Sequence, residues 1–289
     1  MSHSPKDNFD AATEAAAQRK HEIARDTYQA LAALLGAGAH DIAAILSAQP
    51  ADYQRWRLPH IERQIRSRLV RLAGVLAETG AAGQDAAWAA GQALIDEPLA
   101  AGGLAVEGLA QQLSDQQLVA MREFMTDRLR DVSLSNINKI NGELAQVIIG
   151  VQAPGQAVGN VTRLLNERSR RRALTIVRTE LGRAFAAAAQ ARMTQAQAIV
   201  PTLQKQWRRS GKLHSRPLHD AADGQVQDID APFVIGGDAL RYPRDPRAPA
   251  YQTINCGCDS LPYIPDWDML HPGERPRSPN EQLRRLRAA

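Results

Sequence analysis

Residues 203–243 read LQKQWRRSGKLHSRPLHDAADGQVQDIDAPFVIGGDALRYP. Leu203, Lys205 and Trp207 alternate with Gln204 and Gln206, the two-residue period of a half-buried strand. Pro232-Phe233-Val234-Ile235 followed by Gly236-Gly237 predicts a short strand and a turn, and Leu240 and Tyr242 fit the returning strand. Residues 214–223 hold a proline and several polar residues and read as a loop. Pro243, Pro246 and Pro249 then force an extended, exposed path. The indole of Trp207 suits the contact between such a sheet and a helix, provided its N–H finds a partner.

Upstream, the period changes to that of helices. Ile61, Ile65, Leu69, Leu72 and Leu76 share one helical face, as do Leu118, Met121, Met125, Leu129 and Val132. Ser114 to Gln117 fits a capping box ahead of the second stripe. Ile137, Ile140, Leu144, Val147 and Ile148 form a third stripe. Leu174, Val177, Leu181, Phe185 and Ala188 form a fourth, on a helix from about Asn166 to about Ile199 that ends before Pro201. Ile23, Leu31, Leu34 and Leu35 predict an earlier helix ending at Gly36 to Gly38. The glycines between Gly80 and Gly108 predict short helices with breaks, for example at Pro98 and Gly102-Gly103.

The expected class is therefore α+β: a mainly helical N-terminal two thirds, then a small antiparallel β module packed on a long helix. A helical region over 1–113, helices plus the module over 114–270 and a basic tail over 271–289 is the expected division, with a soft boundary near Leu113. The chain has 289 residues, is 44% hydrophobic but only 4% aromatic, and carries a formal charge of +4. Alanine supplies much of the apolar character, which favours helices. The charge is too small for a protein that coats DNA. No apolar run approaches 18 residues, so no membrane span is expected, and residues 1–10 lack an apolar signal core, so secretion is not expected. Two cysteines make no disulfide framework, so a reducing compartment is expected.

Rare residue types collect late in the chain. Arg178-Thr179-Glu180 falls on a helix. Trp207 falls on a strand. Arg216-Pro217-Leu218-His219, Asp223-Gly224, Tyr242-Pro243 with Asp245, and Asn255-Cys256-Gly257-Cys258 follow in order. This ordered set resembles the phage Mu F-like head morphogenesis (minor head protein) family, over roughly Leu174 to Pro262. Many relatives carry a basic residue between the two cysteines, where this chain has Gly257. The resemblance implies a minor capsid protein of a tailed bacteriophage, in few copies inside the virion near the portal vertex and assembled in the host cytoplasm. Its implied partners are the portal protein, the major capsid protein or scaffold, and double-stranded DNA. The helical region before the module is then the place for portal contact.

Several sets of residues have both a chemical and a plain reading. His214, His219, Cys256 and Cys258 offer the imidazole and thiolate donors of a structural zinc site, with Asp220 or Asp223 completing it if His214 does not reach. Against zinc, Cys-x-Cys is tighter than the usual ligand spacing. In the plain reading the cysteines are small apolar residues and His219 bonds backbone. A disulfide between them would close a small strained ring. Arg178 and Glu180 lie about 200° apart on a helix and share no face. Ion pairs from Arg178 to Asp220 or Asp223, and from Glu180 to Arg216, would fix helix against sheet. The alternative is an ADP-ribosyltransferase-like site, although such sites take these residue types from separate strands. Arg168, Arg170, Arg171 and Arg172 are candidates for DNA phosphates or for a solvated helix face. No phosphate-binding loop, zinc-protease motif or nucleophile elbow is present. The leading expectation is a non-catalytic structural protein; an enzyme and a plain DNA-binding protein are the alternatives.

Overall fold

The computed structural model describes residues 4–48, 58–104, 116–212, 215–265 and 267. Its elements run α1 (Pro5–Ser47), α2 (Leu58–Ala101), α3 (Gln116–Leu134), α4 (Ile137–Ile148) and α5 (Pro154–Arg163). A π-helical turn (Leu164–Ser169) leads into α6 (Arg170–Ala196). Then come β1 (Gln204–Arg208), α7 (Pro217–Ala221), β2 (Val226–Asp228), β3 (Phe233–Ile235), β4 (Asp238–Leu240), α8 (Ala250–Thr253) and β5 (Asp259–Tyr263). The fold is α+β, as the periodicities require. The expected boundary near Leu113, the cap at Ser114, the ligand His214 and the tail from 271 lie outside the described residues.

By compactness the chain forms two units. The helical unit comprises Arg25–Gly83 and Val119–Val177. Its core joins Ile42 and Leu46 of α1, Ile61, Ile65 and Leu69 of α2, and Ile140 and Leu144 of α4, with Val161 and Leu165 beyond. Ile61, Ile65, Leu69, Ile140 and Leu144 belong to predicted stripes and are buried as expected, whereas Ile42, Leu46, Val161 and Leu165 lie outside every predicted stripe. Ser133 donates to the Leu69 carbonyl at 2.9 Å and ties α3 to α2.

Two expected helix breaks, at Gly36 to Gly38 and within residues 80–98, are absent. The first helix does not stop at Gly36 to Gly38; α1 continues to Ser47. A Cβ at Gly38 would stand 2.7 Å from Leu72 Cδ2, and one at Gly36 would stand 2.6 Å from Arg170 Nη2. These glycines are places of close packing, where dispersion between the apposed surfaces outweighs the roughly 1 kcal/mol helix penalty of glycine. The described part of the expected broken segment, residues 80–104, behaves likewise, and residues 105–108 lie outside the described residues. α2 runs unbroken past Gly80, Gly83, Gly91 and Pro98. A Cβ at Gly83 would collide with the Thr27 side chain. The helix ends at Gly102-Gly103, one of the two expected breaks, where Gly103 takes a φ of +77° and Leu104 N–H bonds back to the Leu99 carbonyl.

Hydropathy also departs from expectation. α1 contains a window of mean hydropathy 1.6, long and apolar enough by composition to cross a membrane, of which 28% is buried. Its large apolar side chains Leu31, Leu35, Ile42 and Leu46 are buried, whereas Ala33, Ala37, His40, Asp41 and Ala44 are exposed. That division is the pattern of an amphipathic helix that packs one face on a core.

The second unit comprises Met1–Ala24, Gln84–Leu118 and Arg178–Ala289 and holds the β module. β1 is the centre of an antiparallel sheet ordered β2-β1-β5, and β3 and β4 form a separate hairpin. Lys205 and Trp207 of β1 point inward and their neighbours are partly exposed, as the alternation predicts. The returning strand ends at Leu240, so Tyr242 lies past it. The expected 214–223 loop contains the one-turn α7, which Pro217 opens at its first position. The module packs on α6: a Cβ at Gly182 would stand 2.7 Å from Arg244 Cζ.

Candidate functional site

Trp207 is the floor of the module. Its ring makes edge-on contacts with Phe233 and with His219, at centroid separations of 5.3 and 5.6 Å. Its backbone donates to the Gln225 carbonyl and accepts from Gly224 N–H, both at 2.8 Å. Gly224 has a φ of +82°, a conformation that glycine adopts freely. Asp223 closes the same turn by accepting from Arg209 N–H at 2.9 Å and pairing with the Arg209 and Arg208 guanidinium groups. The Trp207 indole N–H has no hydrogen-bond partner among the described residues, against expectation.

The cysteines lie directly beyond. His219, on α7, places Nδ1 at 3.6 Å from Cys256 Sγ and 3.4 Å from Cys258 Sγ. All three residues are buried, and both cysteines are free thiols. His219 Nε2 lies 2.7 Å from Gln252 Oε1. The Gln252 amide donates to the Ile235 carbonyl at 3.0 Å and to Asp238 at 2.7 Å, so its oxygen is committed to His219. Nε2 therefore carries the proton, and the Nδ1 lone pair faces the sulfurs. A hydrogen bond from Cys258, together with His219 and the Arg244 guanidinium, holds the Cys256 thiol well below its ordinary range. Burial pushes Cys258 up, and the neighbouring Cys256 pushes it the same way. This N-and-two-S set can hold a metal ion. The same separations suit thiol–imidazole hydrogen bonds in a metal-free chain.

The aspartates considered as extra ligands are engaged elsewhere. Asp223 serves the arginine turn, and Asp220 accepts from Ser215 and faces Arg209. Over Gly257, a Cβ would meet Ser210 Cβ at 2.8 Å and Lys212 Cε at 2.9 Å. Lys212 from the preceding loop thus fills the space between the cysteines, and its ammonium donates to the Asn255 carbonyl.

Arg244, which sequence reading passed over between Pro243 and Asp245, organises the cysteine loop. It is 1% exposed and has a φ of +69°. Its guanidinium donates to the Cys256 carbonyl at 2.6 Å and the Cys258 carbonyl at 3.1 Å, and Asp259 lies 3.7 Å away. Lys20 of α1 forms a buried ion pair with the same Asp259. Asp245 holds the turn by accepting from the Arg241 side chain and from the Arg241 and Arg247 backbone. Burial pushes its carboxyl up, but those bonds outweigh it and hold the pKa below the ordinary aspartate value. Burial pushes the Tyr242 hydroxyl up, helped by Asp245.

The helix triplet splits as its geometry requires: Arg178 is exposed, and Thr179 and Glu180 are buried. Neither of the expected ion pairs occurs among the described residues. Glu180 pairs with Arg183 one turn along α6 at 2.5 Å, and Arg216 donates to the Ile254 carbonyl at 2.5 Å. Thr179 Oγ1 accepts from Asn255 N–H at 3.1 Å, and Arg183 Nε donates to the Arg244 carbonyl at 3.1 Å. Thr179 and Arg183, the latter held by Glu180, thus join α6 to the cysteine loop. The basic run divides too. Arg170 packs on Gly36, whereas Arg168, Arg171 and Arg172 are exposed, Arg172 pairing with Asp131.

No known family profile matches the sequence. The chain is similar to NAD(+)--arginine ADP-ribosyltransferase EFV of Enterococcus faecalis, 30% identical over 134 residues, which are 44% of this chain and 27% of that protein. It is also similar to the uncharacterized protein YqbB of Bacillus subtilis, 29% identical over 140 residues, 45% of each chain. The chain thus spans less than half the length of either relative. No solved structure matches.

Proposed function

We propose that the protein is a non-catalytic minor head protein of a tailed bacteriophage, which docks on the portal and carries a zinc-closed module. One observation supports the structural reading above the others. Buried motif residues bond one another: Thr179 meets Asn255, Asp245 meets Arg241, and His219 meets both cysteines. Arg178 is exposed whereas Glu180 is buried and paired with Arg183, so the two side chains do not meet at one surface. Zinc suits the donor set, because Zn–S of about 2.3 Å and Zn–N of about 2.0 Å at tetrahedral angles separate S from N by about 3.5 Å. The separations here are 3.6 and 3.4 Å. A structural ion there would fasten the loop at residues 255–259 to α7. The test is sedimentation of the purified full chain with assembled portal rings of a tailed bacteriophage. Co-sedimentation is expected; a chain that stays in the supernatant at every portal concentration contradicts the reading.

A second reading, an enzyme that transfers ADP-ribose, draws on similarity to the Enterococcus faecalis transferase over 27% of its length. It requires a reactive acid in a place that NAD can reach. Glu180, 1% exposed and paired with Arg183, does not supply one.

A further inference from the structure

The opening turns of α2 carry a feature that the module does not use. His60, Arg63, Gln64, Ser67 and Arg71 recur at steps of three and four, so they share one helical face, and all are exposed. Ile61, Ile65, Leu69 and Leu76 take the buried side. With Arg68 and Ile45 the exposed face lines a groove of about 360 Å³. Among the described residues no carboxylate lines it; Asp41 stands 3.9 Å from Arg68 at its edge. Arg63, Arg66 and Arg71 make no ion pair among the described residues.

This arrangement is unfavourable for the helix alone. Arg63 with Arg66, and Arg68 with Arg71, are like charges three residues apart. The first turn of α2 has no acidic residue, although a helix start favours negative charge. An external polyanion relieves both effects. We propose that this face of α2 binds the phosphate backbone of duplex DNA. From His60 to Arg71 the rise is about 16 Å at about 1.5 Å per residue. That is enough to face roughly five phosphates of a strand whose charges recur about every 3.4 Å of axis. Arginine forks grip phosphate oxygens in pairs, and Gln64 and Ser67 add neutral donors that fix register. An anionic membrane fits less well, because Ile45 is the one apolar side chain among the residues lining this groove. Backbone contacts of this kind read no sequence. The Arg168–Arg172 run is the poorer site, since Arg170 and Arg172 are turned to protein partners.

The test uses the full chain and a short labelled duplex, read by fluorescence anisotropy. Three arginine contacts predict roughly a 40-fold loss of affinity between about 50 and about 200 mM salt. The combined Arg63→Gln, Arg68→Gln, Arg71→Gln variant should keep its melting temperature, because all three are exposed, and should lose most of that affinity and salt slope. Arg168→Gln with Arg171→Gln should keep both. Wild-type affinity that is absent or flat with salt overturns the proposal, as does a triple variant that binds like wild type. So do phosphatidylserine vesicles that lose binding to the triple variant while the duplex does not. Portal co-sedimentation is read separately, so a chain that docks on the portal and ignores duplex DNA sinks this proposal alone.

Discussion

The Arg244 guanidinium rests on the backbone of Gly182: a Cβ there would stand 2.7 Å from Arg244 Cζ and Nε. Gly182 is in mid-helix, where alanine would ordinarily gain about 1 kcal/mol. Here the added methyl meets a side chain that cannot retreat, because it is buried and bonded to two carbonyls. Overpacking of this kind costs about 1–3 kcal/mol and outweighs the benefit. Gly182→Ala is therefore expected to lower the melting temperature by a few degrees. Gly142→Ala, at an exposed α4 position with nothing within 4 Å, should raise it slightly. A Gly182→Ala variant as stable as Gly142→Ala would show that the close approach does not constrain the helix.

Lys205 makes stability depend on alkaline pH. It is 0% exposed, lies over Phe233, and donates to Gln190 at 3.1 Å and to the Arg241 carbonyl at 2.7 Å. Burial pulls its pKa from 10.5 down to about 8. Below about 8 both folded and unfolded chains hold the proton, so the burial penalty is fully present. Between about 8 and 10.5 the unfolded chain holds more protons, so this group's contribution to stability rises with pH. The full span is on the order of 3 kcal/mol. Urea unfolding at several pH values in this window should give a smaller rise for Lys205→Met than for wild type. Equal slopes would place the ammonium in solvent.

Metal content tests the closure of the cysteine loop. Protein purified without chelator should contain about one zinc per chain, and Cys258→Ser should abolish binding. Chelation should lower the melting temperature without dissolving the helices, whose core in the helical unit holds neither His219 nor a cysteine. Less than about 0.2 equivalents of metal would leave the set as thiols bonded to imidazole.

Much of this architecture was legible in the residues. The stripes at Ile61 to Leu76 and Ile137 to Ile148, the alternation at Leu203 to Trp207 and the Gly236-Gly237 turn each express a local period. The grouping of His219 with Cys256 and Cys258 was legible from residue type and order. What was hidden depends on distant neighbours. Gly36, Gly38 and Gly83 read as helix breakers because their packing against Arg170, Leu72 and Thr27 is remote in sequence. Arg244 carries no signal in the sequence, because what encloses it is Gly182 and the cysteine carbonyls. Lys20 and Asp259 form a buried pair across 239 residues, which no local pattern reports. Gln252, which fixes the His219 tautomer, carries no signal in composition or spacing.

Whether the helix triplet is structural can be measured as transfer of ADP-ribose from NAD to an arginine-bearing acceptor, by wild type and by Glu180→Gln. Because Glu180 is enclosed and paired with Arg183, neither protein should exceed a protein-free control. Transfer that wild type supports and Glu180→Gln abolishes would contradict the non-catalytic reading.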